Sequence, residues 1–118
     1  MVLTKETFRL YAIQHYDNHS CLSEEEFNAD LNQLVTIRRM MTWYINGKES
    51  NLRLLINNII IFYNCFDHHA ATKMLQFNVE DEHVEYLNAA LSFLSLPMLI
   101  PPENVNQEFY KKLEEEFK

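Results

Sequence analysis

The chain has 118 residues, 10 lysines and arginines against 17 aspartates and glutamates, a formal net charge of −7 and one glycine. A single glycine excludes GxGxxG and GxxxxGK[ST], whose glycines give positive-φ corners and close approach to phosphate, and it disfavours a sheet full of tight turns. The acidic balance argues against non-specific binding to nucleic acid or anionic membrane, because both need a cationic surface.

In chain order, the first predicted helix runs from Thr4 to about Tyr16. Leu3 and Phe8 have hydrophobic-staple spacing around the Thr4 cap, and Phe8, Tyr11, Ala12 and Tyr16 share one face. Asp17-Asn18-His19-Ser20 reads as a loop. Ser23 and Glu26 form a capping box, with Leu22 and Phe27 as its staple. The stripe Phe27, Leu31, Leu34, Arg38, Met41, Ile45, widened by Val35 and Ile37, predicts a long helix. Gly47 stands where a left-handed C′ residue ends such a helix.

Ser50 or Asn51 caps the next helix, which continues to about Phe66. It is apolar nearly all round and is therefore expected to be central. Ile59-Ile60-Ile61 could be a strand locally, but the apolar pattern is too long for one strand. Arg53, Asn57, Asn58 and Asn64 interrupt this run, which is too short and too polar to span a bilayer. Asp67 caps a short helix over about His68 to Gln76, with Ala70, Ala71, Met74 and Leu75 inward. Val84, Leu87, Leu91 and Leu94 predict a helix from Glu80 to Leu96, ended by Pro97. Residues 97–102 form an extended connector. Asn104 and Gln107 then make a capping-box candidate for a last helix carrying Val105, Phe109, Leu113 and Phe117 on one stripe. Glu114, Glu115 and Glu116 lie at its C-terminal end, where the helix dipole disfavours them. Either that end frays or a partner cation holds it.

The fold expected is all-α, a compact single-domain bundle of five to six helices around a central hydrophobic helix at about residues 51–66. Residues 1–97 form the helical core. Residues 98–118 form the connector and an acidic helix, docked on the same domain or on a neighbour.

The chemistry-bearing residues are sparse. His15 and His19 have the i, i+4 spacing of metal ligands, with Cys21 nearby, but Asp17-Asn18 ends the helix between them and neither HExxH nor CxxC occurs. Surface or loop histidines are the better reading. His68-His69 are adjacent, which suits a solvated helix start. A nucleophilic Cys21 or Cys65 would need a base and an orienting group. Cys65 reads as a small core residue, and both cysteines read as reduced thiols. Glu24 to Glu26 and Glu114 to Glu116 are helix-end runs rather than paired acids in a cleft. Arg38-Arg39 beside Trp43 and Tyr44 carries too few cations for a nucleic-acid site, and an ion pair with Asp30 or a first-helix acid is expected. Asn57, Asn58 and Asn64 must find partners if their helix is buried, and for Asn57 and Asn64, seven apart on one face, the 16–18 loop or Asp30 and Asn32 would supply them. No catalytic residue, cofactor or metal is expected.

Several strings carry a resemblance: Tyr16-Asp17-Asn18 with Cys21, Glu26-Phe27 with Asp30-Leu31-Asn32, Ile37-Arg38-Arg39, the run Asn57 to Asn64, Ala70 to Leu75, and Leu91-Ser92-Phe93-Leu94. Together they resemble a family of small proteins of unknown function encoded by tailed bacteriophages. The likeness covers residues 7–97; the family pattern has His at Asn58 and Gly at Asp67, and the tail after Pro101 lies outside it. The resemblance implies a phage source and supplies no mechanism.

The leading expectation is a non-enzymatic protein that binds a protein partner in the host cytoplasm, with no nucleic acid and no membrane. The N-terminus lacks a cationic n-region and an apolar h-region. The candidate surface is Tyr16, Asp17, Asn18, His19, Arg39, Glu114, Glu115 and Glu116, and a homodimer through the C-terminal helix is a sub-hypothesis. The alternative is an acidic inhibitor or nucleic-acid mimic on a basic groove, and a metal- or cysteine-dependent enzyme ranks third.

Overall fold

The computed structural model describes residues 24–48 and 51–118, with Glu6 and Leu10 before them. Glu6 and Leu10 are helical. The rest of the helix expected over 4–16, the 17–20 loop and the Ser23 cap lie outside the described residues. The described chain consists of α1 (Glu24–Ile45), α2 (Leu52–Cys65), α3 (His68–Asn78), α4 (Asp81–Phe93) and α5 (Gln107–Glu116), and no strand occurs among the described residues. The all-α class therefore stands.

The caps explain the boundaries. α1 ends where the glycine predicts. Gly47 has φ +75, its N–H donates to the Tyr44 carbonyl (3.0 Å), and the Lys48 N–H donates to the Trp43 carbonyl (2.9 Å). These are the two bonds of a Schellman motif. Asn51 caps α2 by accepting from the Leu54 N–H, and Asp67 caps α3 by accepting from the Ala70 N–H.

Two boundaries differ from the sequence reading. α4 stops at Phe93, before Pro97 can act, because Ser95 enters the left-handed region with φ 58. The Leu96 N–H donates to the Leu91 carbonyl (2.8 Å) and the Ser95 N–H to the Ser92 carbonyl (3.1 Å), a second Schellman motif with serine at C′. α5 starts at Gln107, capped by Asn106, whose Oδ1 accepts from the Phe109 N–H (2.9 Å). Asn104 cannot cap it, because its backbone is engaged in the connector. Its N–H donates to the Pro101 carbonyl and its carbonyl accepts from Asn88 Nδ2.

Packing follows the apolar stripes. α1 touches α2, α3 and α4, α2 also touches α3 and α5, and α4 touches α5. One continuous core joins Phe27, Leu34, Ile37 and Met41 of α1 to Leu55, Ile59 and Phe62 of α2, to Ala71 and Leu75 of α3, and to Leu87 and Leu91 of α4. Phe109 and Leu113 of α5 complete it. Tyr44, Tyr86 and Phe109 form an edge-on aromatic trio, with centroids 4.7 to 5.6 Å apart, where α1, α4 and α5 meet. α2 contributes a full inner face, yet Leu54, Ile60 and Ile61 point outward and are 37% to 50% exposed. Its all-round apolarity thus exceeds what its neighbours cover. Asn57 and Asn64 lie on that outward side and are exposed, and Asn58 Nδ2 donates to the Leu54 carbonyl (2.9 Å). Asn57 and Asn64 are therefore not the buried network expected, because the helix face that carries them is the solvated one.

The connector is held by two side-chain amides. Asn88, fully buried on α4, donates from Nδ2 toward the Pro101 and Asn104 carbonyls (2.9 and 3.0 Å), and its Oδ1 accepts from the Leu99 N–H (2.6 Å). Gln76 on α3 pairs with both backbone groups of Ile100, donating at 3.1 Å and accepting at 2.8 Å. A buried amide pairing with backbone replaces the hydrogen bonds that an irregular segment cannot make to itself.

Candidate functional site

The inward stripe of α1 leaves its opposite face to solvent. Asn28, Asn32, Val35, Arg39 and Trp43 recur at i, i+4, i+7, i+11 and i+15, and all are exposed. Val35 is 37% and Trp43 42% exposed. This line of α1 carries no carboxylate, in a chain of net charge −7. Exposed tryptophan and arginine one turn apart are the residue types that dominate binding energy at protein interfaces.

The side of α1 next to this stripe is fixed by a hydrogen-bond chain. The Glu80 N–H donates to His83 Nδ1 (3.1 Å), which leaves Nε2–H to donate to Thr42 Oγ1 (2.8 Å). The Thr42 hydroxyl donates to the Arg38 carbonyl (3.1 Å). His83 is 1% exposed, so this tautomer satisfies both ring nitrogens of a buried imidazole. Arg38 Nη2 meets Glu80 Oε1 at 3.4 Å on the same edge.

A second feature is concave. A cleft of about 590 Å³ opens between α3 and the connector, floored by Phe77, Pro97 and Met98 and edged by Ile100. His69, Thr72, Lys73 and Gln76 supply its polar lining. That volume falls in the range of about 300–1,000 Å³ typical of small-molecule sites.

Residues 1–116 match the Family of unknown function (DUF7207). The chain belongs to that family. Comparison of this DUF7207 chain with curated proteins and with solved structures finds no match. The family match reaches residue 116, so the C-terminal helix, which lay outside the resemblance read from the sequence, is part of the DUF7207 pattern.

Of the expected surface residues of this DUF7207 chain, Tyr16, Asp17, Asn18 and His19 lie outside the described residues, as do His15 and Cys21. Arg39 is exposed in the middle of the α1 stripe. Glu114 and Glu115 are exposed. Glu116 is engaged within the chain, since Arg53 at the start of α2 approaches its Oε1 at 3.2 Å, donates to its carbonyl, and lies 4.9 Å over the Phe117 ring. The cation that holds the acidic helix end is thus supplied in cis. Of the ion pair expected for Arg38-Arg39 with Asp30 or a first-helix acid, the first-helix alternative lies outside the described residues; Arg38 meets Glu80, and Asp30 is buried on the inward side of α1. Among the described residues no group of three or more His, Cys, Asp or Glu is placed to hold a metal. No described helix is long and apolar enough to cross a membrane.

Tyr63 and Lys112 have shifted proton affinities. Burial pushes the Tyr63 phenol up to about 12, against a smaller opposing effect of the Thr72 hydroxyl. The Tyr44 phenol beside it raises the Lys112 ammonium above the ordinary lysine value, with Glu108 and Glu115 adding to it. His83, Asn88 and Gln76 were not foreseen as organising residues. Each sits on a helix whose apolar stripe is readable, but Asn88 and Gln76 bond only backbone groups, and His83 bonds the Glu80 backbone and the Thr42 hydroxyl forty-one residues away, partners that leave no local mark in the sequence.

Proposed function

We propose that this chain is a phage-encoded, non-enzymatic protein that acts in the host cytoplasm by binding another protein through the outward face of α1. The observation that carries this reading is the exposed, carboxylate-free line Val35, Arg39 and Trp43 on an otherwise acidic molecule. A fitting partner offers an apolar groove or helix edged by carboxylates, so that Trp43 is desolvated and Arg39 is paired at the rim. The phage source rests on the sequence strings quoted above. A homodimer through α5 would have to use its polar side, because Phe109 and Leu113 are buried within the same chain.

The acidic-mimic reading needs a continuous line of available carboxylates. Glu80 and Glu116 are paired with Arg38 and Arg53, Asp67 caps α3, and Asp30 is buried. These four carboxylates are committed within the chain, and the reading placed on the α1 stripe rests on Arg39 and Trp43 being exposed together.

The test is affinity capture of the tagged chain from phage-infected cells, comparing wild type with Arg39→Glu and Trp43→Ala. Both positions are exposed, so both variants should keep the wild-type melting curve. The expected result is one partner enriched on wild type and lost on both variants. A partner set indifferent to both substitutions would reject the α1 surface.

A further inference from the structure

The cleft between α3 and the connector has polar lining groups whose bonding capacity can be counted. Gln76 has its carboxamide taken at both ends by the Ile100 backbone (3.1 and 2.8 Å). The Thr72 hydroxyl donates to the His68 carbonyl (2.7 Å) and lies 3.2 Å from the Tyr63 hydroxyl. Both side chains are thus largely committed within the chain, and neither carries a charge. That leaves Lys73 and His69, one turn apart on α3, and no lining residue is acidic. In a chain of net charge −7 this is a locally cationic mouth over an apolar floor.

The far wall is built rather than collapsed. With both backbone groups of Ile100 pinned by Gln76 and Leu99 pinned by Asn88, the connector cannot fold down onto Phe77. Ile100 is consequently 69% exposed at the edge of the cleft, an apolar surface left facing water beside other apolar surface. A ligand chain laid along Phe77, Met98 and Ile100 would bury it.

We propose that this cleft binds a small aliphatic monocarboxylate, its hydrocarbon chain on Phe77, Met98 and Ile100 and its carboxylate at Lys73 Nζ, with His69 beside it. The charge complementarity is specific in sign. A single lysine at the mouth favours one anionic head, while an uncharged or cationic head of equal chain length gains the apolar contact and loses the charge-assisted bond. This site is separate from the α1 surface, so its test is independent of the partner.

The experiment is amide NMR titration of the full chain with decanoate, decanol and decyltrimethylammonium, all below their aggregation concentrations. Decanoate should saturate one site, move the amides of Phe77, Met98 and Ile100, and bind about tenfold or more tighter than the other two probes. Lys73→Glu, a half-buried rim position, should remove that preference and leave decanol binding unchanged. Ile100→Asp, at the exposed edge, should weaken decanoate while the thermal melt stays the same. Equal binding of the three probes, shifts centred elsewhere, or no saturable binding of decanoate would each overturn the proposal. So would a Lys73→Glu variant that still prefers the carboxylate.

Discussion

At the scale of single residues, two helices close with the same backbone device in different chemistry. Gly47 adopts φ +75 with nothing within 4 Å of where a Cβ would sit, so its substitution meets only the backbone cost. Gly47→Ala should lower stability by about 1 kcal/mol, read from a denaturant midpoint. Ser95 adopts φ 58 with a side chain attached, so the opposite sign applies there. Ser95→Gly should raise stability by about 0.5–1 kcal/mol, and a drop would show that the hydroxyl has an essential role. Tyr63 adds a pH-dependent contribution. Its folded value, about 12, lies above the ordinary 10.0. Below about pH 10 both states keep the proton and the contribution is intact. Between about pH 10 and 12 the unfolded chain releases it while the folded chain does not, so stability falls as pH rises. The full loss is about 2–3 kcal/mol, visible as an alkaline fall in the denaturant midpoint that Tyr63→Phe largely flattens. An equally steep fall in that variant would assign the effect to other groups.

At the scale of elements, the connector depends on Asn88 far more than α5 depends on Arg53. Asn88→Ala would leave the Leu99 N–H and two connector carbonyls without their partner in a buried setting, at a cost of about 2–4 kcal/mol. Limited proteolysis should then cut within residues 97–106 before any helix, and resistance there equal to wild type would contradict the assigned role. Arg53 is 58% exposed and its Glu116 partner 44%, so screening by water holds Arg53→Ala to about 1 kcal/mol or less. The elements also show how far the sequence could be read. Asn51, Asp67 and Gly47 were legible because a cap acts on backbone within a few residues of itself. Pro97 misled, because a serine can take the left-handed position when the following Leu96 N–H gains a 2.8 Å bond to Leu91. Asn104 misled because its backbone is engaged by Asn88, sixteen residues away. Of the candidate surface, Arg39 was legible as an exposed cation off the apolar stripe. The cleft was not, since it arises from how Gln76 seats a segment twenty-four residues downstream.

At the scale of the whole molecule, the question is whether residues 98–118 are an appendage or part of one cooperative unit. The apolar contacts favour one unit. Phe109 and Leu113 are 1% and 0% exposed, and they enter the same core as α1, α2 and α4. Phe109 closes the aromatic trio with Tyr44 and Tyr86, rings borne by α1 and α4. Burying two such side chains contributes roughly 3–6 kcal/mol, set against a total stability of about 5–15 kcal/mol for a domain. A chain ending at residue 106 would expose Tyr44, Tyr86 and the inner faces of α2 and α4 to water at once. It should therefore lose most of its stability, with a shallow, early chemical melt and binding of a hydrophobic dye at neutral pH. An independent helical core over 1–97 would behave differently, keeping the full-length midpoint after the truncation. Circular dichroism melts of the full chain and of the chain ending at residue 106 separate the two outcomes. A point variant guards against a truncation that merely aggregates. Phe109→Ala in the full chain should lower the midpoint through a single transition by about 3–5 kcal/mol, whereas an appended helix would come off first and leave the core transition where it was.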